Sequence, residues 1–187
     1  MSQISTADYR NGMVLLIENA LLEMVEFQHV KPGKGGAFVR TKMRNVMTGR
    51  TLERTYRSGE RFEEVRLIQE PYQFLYSDAD FFHFMHRTTY EQIAVTPEVV
   101  GDTKAFLKEN SECGLLFYED RVMRVELPNQ VELKITYSEP GVQGDRAQGG
   151  TKPATLETGA IVQVPLFVNE GTVVRVDTRT GEYVSRA

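Results

Sequence analysis
The residue set apart most clearly by its neighbours is Lys34, in the run His29-Val30-Lys31-Pro32-Gly33-Lys34-Gly35-Gly36-Ala37-Phe38. Pro32 fixes φ for a turn, and Gly33, Gly35 and Gly36 can take positive φ without a Cβ clash. The Lys34 ammonium is therefore expected to stand clear of the fold at the tip of a hairpin. A lysine in a glycine-rich loop can cradle a nucleotide, but that pattern is G-x-x-x-x-G-K-[ST] followed by a helix. Here Lys34 is followed by Gly35 and no helix, so nucleotide binding is rejected. A solvated turn is the plain alternative to a functional tip.

Other residue types that do chemistry do not converge. His83 and His86 are three apart in a segment that reads as a strand, which sends them to opposite faces, where they cannot share a metal ion. Asp78 and Asp80 look like a carboxylate pair but sit where Asp bonds its own backbone in a turn. No G-x-S-x-G elbow is present, and His29 merely adjoins the tip. Phe74, Tyr76, Phe81, Phe82 and Phe84 could stack on bases, yet their acidic neighbours favour a packing role. The single cysteine, Cys113, has no disulfide partner and reads as a small half-buried residue in a reducing compartment. The expectation is a protein that is not an enzyme and holds neither metal nor cofactor.

The elements that must position Lys34 read as strands. Short runs of Val, Ile, Phe, Tyr and Thr are separated by turn signals such as Asn11-Gly12, Pro32-Gly33, Ser58-Gly59 and Thr180-Gly181. Residues 20–30 and 36–46 flank the tip. In the second run Phe38, Thr41 and Met43 are interspersed with Arg40, Lys42 and Arg44, which places those three cations on one side of the strand. The helical candidate is 97–107, with Thr96 as N-cap, Pro97 in the first turn, Glu98 against the helix dipole and Gly101 weakening the middle. It should give one or two short turns. Residues 137–153, glycine-rich and polar, read as a long loop.

Three blocks of about 60 residues with boundaries near 63 and 127 fit three small β-barrels better than one sandwich. Residues 1–63 carry 10 Lys/Arg against 7 Asp/Glu, residues 64–127 carry 6 against 12, and residues 128–187 carry 6 against 7. The net charge of −4 argues against indiscriminate binding of polyanions, while the basic first block can approach phosphate. The polar first residues and the lack of any long apolar run predict a soluble, unexported protein with no membrane association.

Lys31-Pro32-Gly33-Lys34-Gly35 followed by Ala37-Phe38 and Arg44-Asn45 resembles the elongation factor P family. So do Gly144-Asp145 with Gly149-Gly150, the run Lys152-Pro153-Ala154-Thr155-Leu156-Glu157-Thr158-Gly159, then Val164-Pro165-Leu166-Phe167 and the ending from Asp177 through Tyr183 to Arg186. The likeness spans the chain. It implies an all-β protein, an SH3-like barrel of the KOW type (1–63) followed by two OB-fold barrels (64–127 and 128–187) in an L-shaped, tRNA-like arrangement. It also implies a cytoplasmic monomer that binds the 70S ribosome, touching rRNA of both subunits and peptidyl-tRNA, and relieves stalling at consecutive prolines.

The resemblance further implies that an enzyme lengthens Lys34, with β-lysine or an aminopentanol group, and that the tip reaches the CCA end. Lysine at this position excludes the branch with a rhamnosylated arginine and argues against the paralogous factor P-like group. Arg40, Lys42 and Arg44, with Lys31, would hold RNA phosphates. Gly144 and Asp145 would face the small subunit, and Tyr183 and Arg186 the anticodon arm. The alternatives are a general OB-fold RNA-binding protein, which should bind free oligonucleotides, and a small hydrolase, for which no residues converge.

Overall fold
The computed structural model describes residues 2–33, 35–139 and 150–187. As the alternating runs predict, nearly all the regular secondary structure among the described residues is strand. The first sheet comprises β1 (Ser2–Ser5), β2 (Val14–Ile17), β3 (Ala20–Val30), β4 (Phe38–Asn45), β5 (Thr51–Arg57) and β6 (Arg61–Val65), in the order β1-β6-β2-β3-β4-β5. The second comprises β7 (Ile68–Ser77), β8 (Phe82–His86), β9 (Gln92–Val95), β10 (Glu112–Tyr118) and β11 (Arg121–Glu126), ordered β11-β10-β7-β8-β9. The third holds β12 (Gln130–Ser138), β13 (Thr151–Leu156), β14 (Ile161–Pro165), β15 (Val173–Asp177) and β16 (Tyr183–Arg186), ordered β14-β13-β12-β15-β16. Its outer strands β14 and β16 approach each other, which curls it towards closure.

Two compact units result, Met1–Gln69 with Leu116–Arg124, and Glu70–Leu115 with Val125–Ala187. In the first, Leu15, Leu22, Met24, Val39 and Met43 are buried together beneath Tyr9 and Phe27. A second cluster of Val14, Leu21, Val46 and Val65 is covered by Leu116, Tyr118 and Met123 of the β10–β11 hairpin. In the second unit Leu133, Ile135, Leu156, Val164, Val174 and Val176 are almost wholly buried. Each Leu in such a core is stabilised by about 1.5–3 kcal/mol relative to exposure.

Three expectations need correction. Phe38 does not belong with Thr41 and Met43: Val39, at 0% exposed, is their inward companion, and period-two alternation puts Phe38 with Arg40. The helix is short, as expected: one α-turn, α1 (Pro97–Val100), continued by a 3-10 segment over Gly101–Phe106, so only the capping role of Thr96 is corrected. Thr96 stands at its N-cap, but its hydroxyl caps no backbone N–H and instead bonds the Glu98 carboxylate, which its own backbone N–H first holds below the ordinary range. The loop expected over 137–153 is shorter at both ends, because Tyr137 and Ser138 extend β12 and Thr151, Lys152 and Pro153 open β13. Lys152 points towards the core, opposite Val164, and its ammonium donates to the Glu139 carbonyl at 2.9 Å. Among the described residues no helix is long and apolar enough to cross a membrane.

Candidate nucleic-acid interface
The long strands β3 and β4 pair as far as Val30 and Phe38, so residues 31–33 and 35–37 lie past the last rung. Lys31, Pro32, Gly33, Gly35 and Gly36 are all exposed. Gly35 has φ +110°, a conformation an L side chain adopts only under strain. The neck of this hairpin is tied to the end of β5 by Ser58 N–H donating to the Ala37 carbonyl at 2.9 Å. Lys34 itself lies outside the described residues.

On the outer face below the tip, β4 presents Phe38, Arg40, Lys42 and Arg44 in sequence. Register fixes their neighbours. Phe38 lies between Val30 and Arg57, Arg40 between Gln28 and Thr55, Lys42 between Glu26 and Glu53, and Arg44 between Glu23 and Thr51. Glu23 and Glu26 share this face because a one-residue register shift at Val25 separates them. Arg44 is bound to Glu23 at 2.7 Å, and the Arg40 guanidinium lies 5.7 Å from the Phe38 ring. The alternation of cations was legible in the sequence. The carboxylates beside Lys42 and Arg44 were not, nor was Arg57, although the outward positions Thr51, Glu53, Thr55 and Arg57 alternate just as clearly.

At the end of the chain a similar shift acts. Arg186 pairs with Val174 and Tyr183 with Val176, Val184 being the extra residue. Directly opposed residues project to the same side, so Tyr183 and Arg186 both follow the two buried valines, although three apart in sequence. Tyr183 packs against the core. Arg186 is exposed and lies 5.5 Å over the Phe167 ring, which is itself 63% exposed. Gly144 and Asp145 lie outside the described residues.

The middle strands separate the aromatics. Phe74 and Phe84 are opposed and buried, as a packing role requires. Tyr76 and Phe81, however, are 48% and 40% exposed. A register shift at Leu75 turns Tyr76 outwards against His83, the rings stacking at 4.5 Å. His83 and His86 face opposite sides: His83 meets Asp78, while His86 lies edge-on to Tyr72 and its Nδ1 accepts from Thr88 and Thr89 N–H. Asp78 Oδ1 accepts from the N–H groups of Asp80 and Phe81, the turn role read from sequence.

Comparison with known proteins agrees with this order of sheets. The family model for the elongation factor P KOW-like domain matches residues 5–62, that for the elongation factor P OB domain residues 67–125, and that for the elongation factor P C-terminal domain residues 131–186. Elongation factor P of Symbiobacterium thermophilum is 52% identical over 184 residues, covering 98% of this chain and 100% of that one. Its counterpart in Corynebacterium urealyticum is 50% identical over 182 residues, covering 97% of each. Among solved structures, eukaryotic translation initiation factor 5A from Methanococcus jannaschii superposes with a TM-score of 0.50 at 21% identity, covering 66% of this chain and 95% of that one. A translation initiation factor 5A family protein from Naegleria fowleri gives 0.52 at 14%, covering 67% and 98%. At 21% and 14% identity, these two likenesses concern the fold alone.

Proposed function
The chain belongs to the elongation factor P family, and from that premise we propose that it works as a translation elongation factor on the ribosome, relieving stalls at consecutive prolines. It binds between the peptidyl and exit sites. The β3–β4 hairpin carries Lys34, lengthened by a modifying enzyme, to the CCA end of peptidyl-tRNA. The outer face of β4 lies along the acceptor stem. Gly144 and Asp145 face the small subunit, and Tyr183 and Arg186 the anticodon arm. The division into functional domains falls near residues 63 and 127.

The physical task is alignment. Proline's ring fixes φ and leaves a hindered secondary amine, so peptidyl-tRNA that wanders loses reactive geometry. Restraint that restores a near-attack arrangement can remove several kcal/mol of barrier, each 1.36 kcal/mol being about tenfold in rate. In this scheme Lys34 acts as a strut, and the bond-making stays with the ribosome.

The observation that carries the reading is the hairpin, an 11-residue strand and an 8-residue strand holding exposed residues 31–33 and 35–36 beyond their last pair. In a reconstituted translation system reading a polyproline message, Lys34→Ala should fold and bind ribosomes yet leave the stall in place. Full rescue by Lys34→Ala would remove the strut. Intact mass of protein purified from its own host should exceed the sequence mass by the added group.

A further inference from the structure
The outer face of β3, β4 and β5 is not uniformly basic. Nearest the tip, the rung Val30–Phe38–Arg57 carries one positive charge, and the next, Gln28–Arg40–Thr55, carries another. Both arginines are exposed, and among the described residues neither forms an ion pair. The third rung, Glu26–Lys42–Glu53, holds two carboxylates against one ammonium. In the fourth, Arg44 is neutralised by Glu23 at 2.7 Å. Alternate residues along a strand are about 7 Å apart, comparable with the roughly 8 Å screening length at physiological salt. A phosphate therefore feels the rung beneath it most strongly and the neighbouring rungs more weakly. A ribose-phosphate backbone laid on this face meets attraction at the first two rungs and repulsion at the third.

We infer that Arg57 is a phosphate-contacting residue, paired with Arg40, and that the Glu26–Lys42–Glu53 rung marks where the RNA backbone leaves the sheet. The inference rests on the RNA-facing reading of β4 and narrows it. Lys42 and Arg44, basic in sequence, serve mainly to balance neighbouring carboxylates, and Arg57 takes the place they would have held. Phe38 lies between the two free arginines and backs the Arg40 guanidinium at 5.7 Å, limiting the rotamers Arg40 can waste.

The test is the salt dependence of full-length protein binding to ribosomes stalled with peptidyl-tRNA. Each lost phosphate contact lowers the slope of log K against log salt by about 0.7–0.9. Arg57→Gln and Arg40→Gln should each do so, Arg57→Lys should largely restore the slope, and Glu26→Gln with Glu53→Gln should steepen it by freeing Lys42. Thermal melting of each variant checks the fold, which substitutions at such exposed positions should leave within about 0.5 kcal/mol. If Arg40→Gln lowers the slope and Arg57→Gln does not, the role of Arg57 is refuted. If the double glutamate variant leaves the slope unchanged, the boundary is refuted. If neither arginine matters, the reading that this face meets RNA fails as well.

Discussion

His83 Nε2 lies 2.6 Å from Asp78 Oδ2, closing the β7–β8 turn from the outer face. The contact fixes a pH dependence. The His83 hydrogen bond, followed by the N–H groups of Asp80 and Phe81, holds the Asp78 carboxyl down at about 2. A depressed carboxyl stabilises the fold fully above its unfolded value of 3.8 and ceases to do so as pH falls through about 2. Asp78→Asn keeps an oxygen for the turn N–H groups and removes the charge. Urea unfolding should show it less stable than the parent at pH 5–7, with the gap closing between pH 4 and 2. A gap independent of pH would show that the charge contributes nothing.

Cys113 supplies a probe of unfolding. Its thiol is 7% exposed, lies 3.7 Å from the Tyr72 carbonyl, and burial pushes its pKa up to about 12. Since the thiolate is the reactive form, a thiol reagent at pH 8 should label the native protein far more slowly than the urea-unfolded chain. Labelling across a denaturant series should then follow the loss of β-structure by circular dichroism. Rapid labelling without denaturant would contradict the burial of this side chain.

Arg186 and Phe167 form an exposed pair, so their coupling should be measurable without loss of the fold. Phe167→Ala and Arg186→Ala should each change stability modestly, and the double-mutant cycle should yield a coupling of about 0.5–1 kcal/mol, the range for an exposed cation over a ring. Zero coupling would mean that the ring does not hold the guanidinium.

Much of the fold was legible because alternation carries most of it. The tip, the flanking strands, the cations of β4 and the single helical turn could all be placed from residue type and spacing. Phe38 is a miscount of simple alternation within β4; elsewhere alternation itself misleads. Single extra residues at Val25, Leu75 and Val184 reverse the parity of everything beyond them. Counting by twos sends Glu23 and Glu26 to opposite faces, buries Tyr76 with Phe74 and parts Tyr183 from Arg186. The structure does the reverse in all three cases, because a register shift is decided by the partner strand. The carboxylates across from Lys42 were invisible for the same reason: they lie 16 and 11 positions away in sequence.

Glu157, read from sequence only as part of a signature run, has a structural duty that ranks its substitutions. One carboxylate oxygen accepts from the Lys134 backbone N–H at 2.8 Å and from the Lys108 ammonium at 3.0 Å. The adjacent Thr158 hydroxyl donates to the Ala105 carbonyl at 2.7 Å, so two consecutive side chains fasten β13 to the segment that follows α1. Burial raises the Glu157 carboxyl, but the Lys134 N–H and then Lys108 outweigh it and leave the pKa below its ordinary value. Glu157→Ala strips the backbone N–H of its acceptor as well as breaking the ion pair, and should cost about 1–2 kcal/mol. Lys108→Ala breaks only the pair, whose lysine side chain is 47% exposed, and should cost under about 1 kcal/mol. Because the backbone bond is less screened than the pair, 0.5 M salt should shrink the Lys108→Ala effect more than that of Glu157→Ala. Equal costs for the two variants in urea unfolding would transfer the whole effect to the ion pair and leave the Lys134 bond without weight.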